Sequence, residues 1–274
     1  MTDVSIIVPC YNHGHFIHET IQSVLNQSYT NFECIVVNDG STDQQTISIL
    51  KSINHPKIKV IHTENQGLAS ARNNGIKEAQ AEIILPLDSD DTIAPLYVEK
   101  ALAAMKSNRN IGIVYCFADL FGAQYGRFIL PEYSIEKILY ANCIFHCAFF
   151  WRQDWEKVKG YNPNMLYGYE DWDFWLSIIA LGKTVFLIPE VLHYYRVREN
   201  SMVRSMTVEQ RAKMRAQLFL NHESFYKQHL PLFFKELQKI EFLASISLLD
   251  RLKEKLFNPV KTSKNIISRF GNKQ

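Results

Sequence analysis

The sequence predicts an α/β fold in which a mostly parallel sheet carries helices on both faces and is followed by a C-terminal helical appendage. Short β-branched apolar runs alternate with amphipathic stretches over the first hundred residues, which is the pattern of βαβα units. Acidic, amide and glycine residues follow several of these runs directly, as expected at the carboxyl ends of parallel strands. Toward the C-terminus, apolar residues recur at helical spacing instead.

Four strands, each followed by a helix, are predicted in the first part of the chain. The strands cover residues 4–8, 32–37, 58–62 and 82–87. The helices cover residues 16–25, 47–53, 67–79 and 95–106, and the last of them opens with a proline near its first turn. Because a helix separates each strand from the next, the strands are expected to pair in parallel.

The pattern is less regular beyond residue 110. It predicts strands over residues 111–118 and 185–195 and helices over 134–140 and 169–181. Residues 207–257 are predicted to be helical, with Pro231 separating two helices. The residues spaced to face one side are Leu237, Ile240, Ala244, Leu248, Leu252 and Leu256. We therefore expect one domain over residues 1–205 and an appendage over 206–274.

Composition and charge set the broad class. The chain is 47% hydrophobic and 21% charged, it has no apolar run near the roughly 20 residues that span a bilayer, and its start lacks a basic segment followed by an apolar one. We expect a cytoplasmic protein without a nucleic-acid partner.

From Arg251 onward, the chain has seven Lys or Arg residues and only one Glu. Two interpretations of this basic tail stay open: peripheral contact with the inner face of the cell membrane, and a solvated end. The C-terminal helices could also pair between chains in a homo-oligomer.

The five cysteines do not indicate a disulfide framework. Their number is odd, and Cys10, Cys34 and Cys116 lie in apolar, strand-like runs. The Cys143-x-x-His146-Cys147 segment has no partner cluster, so a structural metal is disfavoured there.

An acidic cluster carries the strongest chemical information. Asp88, Asp90 and Asp91 follow a buried strand within four residues, and their mutual repulsion has no benefit unless a cation is near. Mg²⁺ or Mn²⁺ prefers oxygen ligands and leaves coordination places for phosphate oxygens, so the cluster suits a diphosphate substrate. The alternative is that the acids only stabilise the start of the following helix.

The loop after the second strand also contains acidic residues. In Asn38-Asp-Gly-Ser-Thr-Asp43, the glycine suits a turn and Ser41 or Thr42 would cap the next helix. Capping does not explain Asp39, which stands at the carboxyl end of the strand and could accept a hydrogen bond from a base or a ribose.

Five motifs in order resemble the family 2 glycosyltransferases, which are inverting, nucleotide-sugar-dependent enzymes with the GT-A fold. The matching segments are SIIVPCYN at 5–12, VNDGSTD at 37–43, NQGLASARNNG at 65–75, LDSDD at 87–91 and YEDW at 169–172. The resemblance spans roughly residues 4–200 and leaves the tail outside.

For the donor, the resemblance implies a uridine diphosphate (UDP) sugar. Its nucleotide-binding residues would be Pro9, Tyr11, Asn12, Asp39, Arg72, Asp88 and Ser89. Tyr11 would pack on the uracil, Asp39 would bond its edge, and Arg72 would lie near the base or diphosphate. Asp90 and Asp88 would hold Mn²⁺ or Mg²⁺, with Asp91 beside them. The structural alternatives are a partly buried ring for Tyr11 and a solvated helix residue for Arg72.

For the acceptor, the resemblance makes Asp171 the catalytic base and gives Glu170 a role in binding acceptor or donor sugar. Both acids would also stabilise a helix N-terminus by ~0.3 to 1 kcal/mol. Gly168 would leave room for the acceptor, whereas Trp172 and Trp175 are expected in the core.

The last strand and an irregular region complete the predicted site. Arg196 and Arg198 fall in a segment that closes over the diphosphate in the family, and one of the two is expected to face inward. His193 is either a further metal ligand or structural. The donor sugar is expected to be set within residues 110–170, including Asn142, His146 and Trp151.

The predicted reaction is hexosyl or N-acetylhexosaminyl transfer to a glycan or lipid-linked glycan, in bacterial surface polysaccharide or lipopolysaccharide synthesis. The absence of a Gln-x-x-Arg-Trp motif in the sequence disfavours processive synthesis. Two alternative functions stay open. One is a nucleotidyltransferase, which is disfavoured because no glycine-rich, Arg-containing loop follows the first strand. The other is a non-catalytic nucleotide-sugar-binding or scaffold subunit.

Overall fold

A computed structural model describes residues 2–198 and 205–257. In these ranges nine strands form one mixed sheet. They are β1 Val4–Cys10, β2 Phe32–Asp39, β3 Ile58–Thr63, β4 Ile83–Pro86, β5 Thr92–Ile93, β6 Ile111–Gly122, β7 Gly126–Phe128, β8 Phe149–Trp151 and β9 Thr184–Val197. The order is β3-β2-β1-β4-β8-β6-β9-β5, with β7 paired on β6. β1 to β4 are parallel, and β8 enters antiparallel between β4 and β6.

The helices lie on both faces of this sheet. They are α1 Gly14–Leu25, α2 Gln44–Ser52, α3 Leu68–Lys77, α4 Tyr97–Ser107, α5 Ile135–Ile138, α6 Arg152–Lys157, α7 Glu170–Ala180, α8 Val208–Asn221, α9 Glu223–Gln228 and α10 Leu230–Phe257. All seven residues of β1 are buried, which is the burial expected of a central strand covered on both sides. The predicted fold class is confirmed.

Two apolar cores follow from the alternation of side chains along the strands. Ile7 packs with α3, α7 and the apolar residues of α8 and α9 on one face. Ile6 and Val8 pack with α1 and α4 on the other face. Because successive strand residues point to opposite faces, a single strand supplies both cores.

Several short elements were not predicted. β5, β7, β8 and α6 have only two to six residues each, which is too short for a periodic pattern to emerge. In the C-terminal part, breaks occur at His222 and His229. The predicted separation of two helices at Pro231 is confirmed to within two residues, because α9 ends at Gln228 and α10 begins at Leu230. Pro231 lies in the first turn of α10, where a missing N–H is tolerated.

The first two C-terminal helices pack on the sheet domain. His222 and Asn221 both contact the buried carboxylate of Asp173 on α7, at 3.0 and 2.7 Å, and the Tyr226 hydroxyl donates to the Leu139 carbonyl. The predicted apolar face of α10 is only partly covered: Leu237 and Ile240 are half-buried and Ala244 is exposed, while the side chains of residues 248, 252 and 256 lie outside those described. Among the described residues, no helix combines the length and apolarity needed to cross a membrane. The division at residue 205 stays a prediction.

Candidate active site

A cavity of about 650 Å³ opens where β1, β2 and β4 end. Its lining includes most residues predicted for the site, namely Pro9, Tyr11, Asp39, Arg72, Asp88, Ser89, Asp90, Glu170, Asp171, Arg196 and Arg198. These positions are up to 189 residues apart in sequence. They meet because parallel strands present their carboxyl ends at one edge of the sheet.

Asn12 does not line the cavity. Its left-handed backbone (φ 56°) turns the side chain toward the neighbouring loop, where Oδ1 accepts hydrogen bonds from the N–H groups of Thr42 and Asp43, both at 2.9 Å. Asn12 therefore ties the loops after β1 and β2 together. The expectation that it contacts the nucleotide has no support in this geometry.

Asp39 lines the cavity and also orders the loop before α3. Its carboxylate accepts hydrogen bonds from the N–H groups of Gln66 at 3.2 Å and Gly67 at 3.1 Å. Two oxygens offer about four acceptor positions, so these bonds leave capacity for a ligand. The backbone of Gly40 directly after it is left-handed (φ 66°), which glycine adopts without strain.

Arg72 is neither solvated nor free, since only 1% of its side chain is exposed. One guanidinium nitrogen lies 2.8 Å from Asp88 Oδ1 and another 2.6 Å from Glu170 Oε1. Both carboxylates raise the pKa of Arg72 against the effect of desolvation. Arg72 thus joins the acidic cluster to the start of α7 by two charge-assisted hydrogen bonds.

The acidic cluster has a different partner for each carboxylate. Desolvation would raise the pKa of Asp88, but His146 and Arg72 hold it below its ordinary value. Desolvation, followed by repulsion from Asp91 and Asp88, raises the pKa of Asp90 to about 7. For Asp91, hydrogen bonds from His146 and His193 outweigh desolvation and lower the pKa.

Two histidines meet at Asp91. His193 Nε2 donates to Asp91 Oδ2 at 2.9 Å, and His146 Nε2 lies 3.1 Å from the same oxygen. Burial lowers the pKa of His193, whereas Asp88 and Asp91 overcome desolvation and raise that of His146 to about 9. His146 therefore carries the positive charge. His193 does not line the cavity, which favours the structural role among the two alternatives for this residue.

Asp171 and Glu170 stand at the N-terminus of α7 and on the wall of the same cavity. Asn142 Nδ2 donates to Asp171 Oδ2 at 2.9 Å, and the Trp172 N–H donates to Oδ1 at 2.8 Å. Desolvation and the neighbouring Glu170 raise the pKa of Asp171 to about 6. A carboxylate with this pKa, exposed to a cavity, is suited to accept a proton near neutral pH.

Some residues around Asp171 line the cavity, and others are buried in the apolar core. Gly168 (φ 124°) and Tyr169 (φ 66°) hold left-handed conformations that lead into α7. Trp172 and Trp175 are buried, as predicted for the core. Trp151 is also buried, with its indole N–H bonded to the Ile111 carbonyl at 2.7 Å; it does not line the cavity, so its expected part in selecting the donor sugar is not supported.

Arg196 and Arg198 both line the cavity, and the expectation that only one of them faces inward was wrong. Residues i and i+2 share a face on a continuous strand, and β9 ends at Val197, one residue before Arg198. The Arg196 N–H donates to Asp91 Oδ1 at 2.8 Å and its Nε donates to the Asp90 carbonyl at 2.7 Å, while its terminal nitrogen pairs with Glu19. Arg198 Nε instead lies 2.6 Å from Asp90 Oδ2.

Comparison with known proteins decides the family. The sequence model described as glycosyl transferase family 2 matches residues 5–158, more than half of the chain. The chain belongs to glycosyltransferase family 2. It is 30% identical over 217 residues to a chondroitin synthase of Escherichia coli, a match that covers 75% of the transferase and 31% of that protein. The transferase thus spans less than a third of the length of this relative.

Solved structures share the fold of this family 2 transferase. S. aureus TarS in complex with UDP-GlcNAc superposes with a TM-score of 0.63 at 19% identity, covering 85% of the transferase and 79% of that chain. The mannosyltransferase PcManGT of Pyrobaculum calidifontis, in complex with GDP-Man and Mn²⁺, gives 0.60 at 19% identity and covers 98% and 88%. These likenesses confirm the GT-A arrangement of the transferase.

The residues at the cavity fit the divalent cation that the family resemblance implies. Three carboxylates crowd one buried place, and a cation would relieve the repulsion that raises the pKa of Asp90. Asp91, His146 and His193 also bring one ligand atom each within 4.8 Å of one another. Their atoms already contact each other, so Asp90 and Asp88, which line the cavity, are better placed to meet a bound ligand.

Two contributors were missed by sequence reasoning. His13 lines the cavity beside Ser89 and Arg198, and an aromatic wall of Phe128, Phe145 and Tyr195 forms one side. Asn142 was expected near the donor sugar, but its bond to Asp171 was not predicted. The residues between 110 and 170 were expected to face the site, but no sequence pattern gives their side-chain directions. In the sequence, the only indication that His13 belongs to the site is that it directly follows the first motif.

Proposed function

We propose that this transferase moves a sugar from a UDP-sugar to an acceptor hydroxyl with inversion at the anomeric carbon, using Asp171 as the base. The observation that carries the proposal is the content of one cavity: an acidic cluster suited to a cation and diphosphate, and a carboxylate whose pKa is raised to about 6. Inversion requires the base and the leaving group to act on opposite sides of the sugar carbon. Both groups must therefore reach the same sugar, and Asp171 lines one cavity with Asp88 and Asp90 of the acidic cluster.

The nucleotide would occupy the side of the cavity formed by the loops after β1 and β2. Tyr11 is 41% exposed there, so its ring is available to stack on a base. Asp39 retains acceptor capacity for the edge of the base or for ribose. Pro9 and Ser89 complete this side of the lining.

Asp90 and Asp88 would hold Mn²⁺ or Mg²⁺. The ion supplies charge stabilisation for the leaving diphosphate. Arg196 and Arg198 line the same side and would pair with phosphate oxygens. Arg72 fixes the positions of Asp88 and Glu170, because two of its nitrogens donate to these carboxylates.

The acceptor would enter beside Asp171. Asn142 and the Trp172 N–H each donate to one oxygen of this carboxylate, and its remaining acceptor positions can serve a group in the cavity that it lines. The aromatic wall of Phe128, Phe145 and Tyr195 suits the apolar face of a sugar ring. We propose a glycan or lipid-linked glycan acceptor in surface polysaccharide synthesis, supported by the similarity to chondroitin synthase.

The test is Mn²⁺-dependent release of UDP from a panel of UDP-sugars. We expect Asp171→Asn to lose at least 100-fold in turnover, the lower range for removal of a general base, while UDP still binds. Asp119→Asn is the matched control, since this carboxylate pairs with Arg127 on the surface. Release of pyrophosphate from UTP and a sugar 1-phosphate, with no release of UDP from the UDP-sugar panel, would support a nucleotidyltransferase. UDP-sugar binding without turnover, with every acceptor tried, would support a binding subunit.

A further inference from the structure

Arg198 contacts Asp90, which is a metal ligand in the proposed function. Its Nε lies 2.6 Å from Asp90 Oδ2, and the side chain of Asp90 is only 10% exposed. The carboxylate oxygen that would bind a cation therefore already has a positive partner. Two positive charges on one buried carboxylate repel each other, so Arg198 in this place should weaken the binding of a divalent cation to Asp90.

His13 holds Arg198 in this place. A terminal nitrogen of Arg198 donates to His13 Nε2 at 2.7 Å, and His13 Nδ1 lies 3.4 Å from Ser89 Oγ. Burial and the charge of Arg198 lower the pKa of His13 to about 4, so its ring is neutral and Nε2 can accept. The contact of Arg198 with Asp90 is thus part of a local network.

The other two carboxylates of the cluster have partners of a different kind. Asp88 pairs with Arg72, whose side chain is 1% exposed, and Asp91 contacts His146 and His193. The side chains of Arg72, His146 and His193 are only 1%, 12% and 0% exposed. Arg198 is 27% exposed and lies directly after the end of β9. Of these cationic partners, Arg198 is the one that can leave at the smallest cost in buried contacts.

We propose that Arg198 and the divalent cation compete for Asp90, and that Arg198 moves to the diphosphate when nucleotide and metal bind together. This inference rests on the proposed function, because it needs a diphosphate to receive the guanidinium. Arginine is suited to the exchange, since its fork bonds carboxylate and phosphate equally well. The consequence is that the cluster stays charge-balanced without metal and binds the ion weakly until nucleotide is present.

The experiment measures Mn²⁺ affinity of the full chain without nucleotide, by electron paramagnetic resonance of free Mn²⁺. We expect Arg198→Gln to bind Mn²⁺ at least tenfold more tightly than the wild type. His13→Ala keeps the charge of Arg198 but removes its clamp, and we expect a smaller gain of about threefold. Arg196→Gln is the matched control. It also removes one positive charge, but the Arg196 side chain contacts the Asp90 carbonyl and Glu19 and not the Asp90 carboxylate.

Equal gains in Arg198→Gln and Arg196→Gln would overturn the inference, since they would reflect net charge alone. Unchanged Mn²⁺ affinity in both Arg198→Gln and His13→Ala would also overturn it. Calorimetry with UDP separates this failure from that of the proposed function. If the wild type binds UDP with Mn²⁺ but Arg198 has no effect on the metal, only the competition is wrong; if UDP does not bind at all, the proposed donor is wrong.

Discussion

Replacement of Asn142 by Ala should move the acidic limb of the pH–rate profile of transfer. Asn142 Nδ2 donates to Asp171 Oδ2 at 2.9 Å, and this bond stabilises the ionised carboxylate. In the wild type, the pKa of Asp171 is raised to about 6 by desolvation and by Glu170. The base acts in its deprotonated form, so the rate should rise about tenfold per pH unit up to this pKa and then level off.

The size of the shift follows from the hydrogen bond that is lost. A hydrogen bond to a charged group contributes about 1.5–3 kcal/mol, and water in the open cavity would replace part of it. We take about 1.4 kcal/mol, which corresponds to about one pKa unit. Because loss of the donor disfavours the charged form, the pKa rises and the limb moves from about pH 6 to about pH 7.

The assay is UDP release at saturating donor between pH 5 and pH 9. At pH 6 the Asn142→Ala variant should retain about a tenth of its own plateau rate, against about half for the wild type. The KM for donor should change less than kcat, because Asn142 contacts the base. Asn26→Ala, on the surface at the end of α1, is the control. A limb that stays at pH 6, or moves to lower pH, would refute the role of Asn142 in holding Asp171.

Three further predictions concern stability. Arg72→Met should lower the free energy of unfolding by about 3–5 kcal/mol, because Asp88 and Glu170 would lose a buried counter-charge; urea unfolding that shows a loss below about 1 kcal/mol would contradict this. Gly40→Ala should cost about 1–3 kcal/mol in the same assay, since φ is +66° and the new Cβ would lie 2.5 Å from the Asn65 nitrogen. Mn²⁺ with UDP, each near 100 times its Kd, should raise Tm by about 5–10 °C, and EDTA should abolish the metal-dependent part; an identical Tm with and without EDTA would count against a metal-assisted site.

Much of the fold and part of the site could be predicted from the sequence. The four strands before residue 87 are short apolar runs, and they were placed within two residues of their observed ends. The grouping of Asp39, Asp88 and Asp90 follows from the rule that parallel strands present their carboxyl ends at one edge. The family match agrees with the five motifs.

The structure decides the positions of other residues, because these depend on side-chain direction. Asn12 belongs to a matching motif, yet its left-handed backbone turns it to the neighbouring loop. For His193, both a ligand role and a structural role were weighed, and the structure places its ring nitrogen 2.9 Å from Asp91. Trp151 lies in the segment expected to face the donor sugar, and the three-residue strand β8 turns it into the core.

The order of the first strands and helices, the acidic cluster after β4 and the acidic pair before Trp172 can be predicted from the sequence, because they depend on local patterns and on a general rule of sheets. The pairing of cations with carboxylates is seen only in the folded chain: Arg72 pairs with Asp88 and Arg198 with Asp90. These partners are separated by 16 and 108 residues, and their choice depends on distances of a few ångströms between elements. Electrostatic energy in a buried site changes steeply over such distances, and residue spacing along the chain does not contain them.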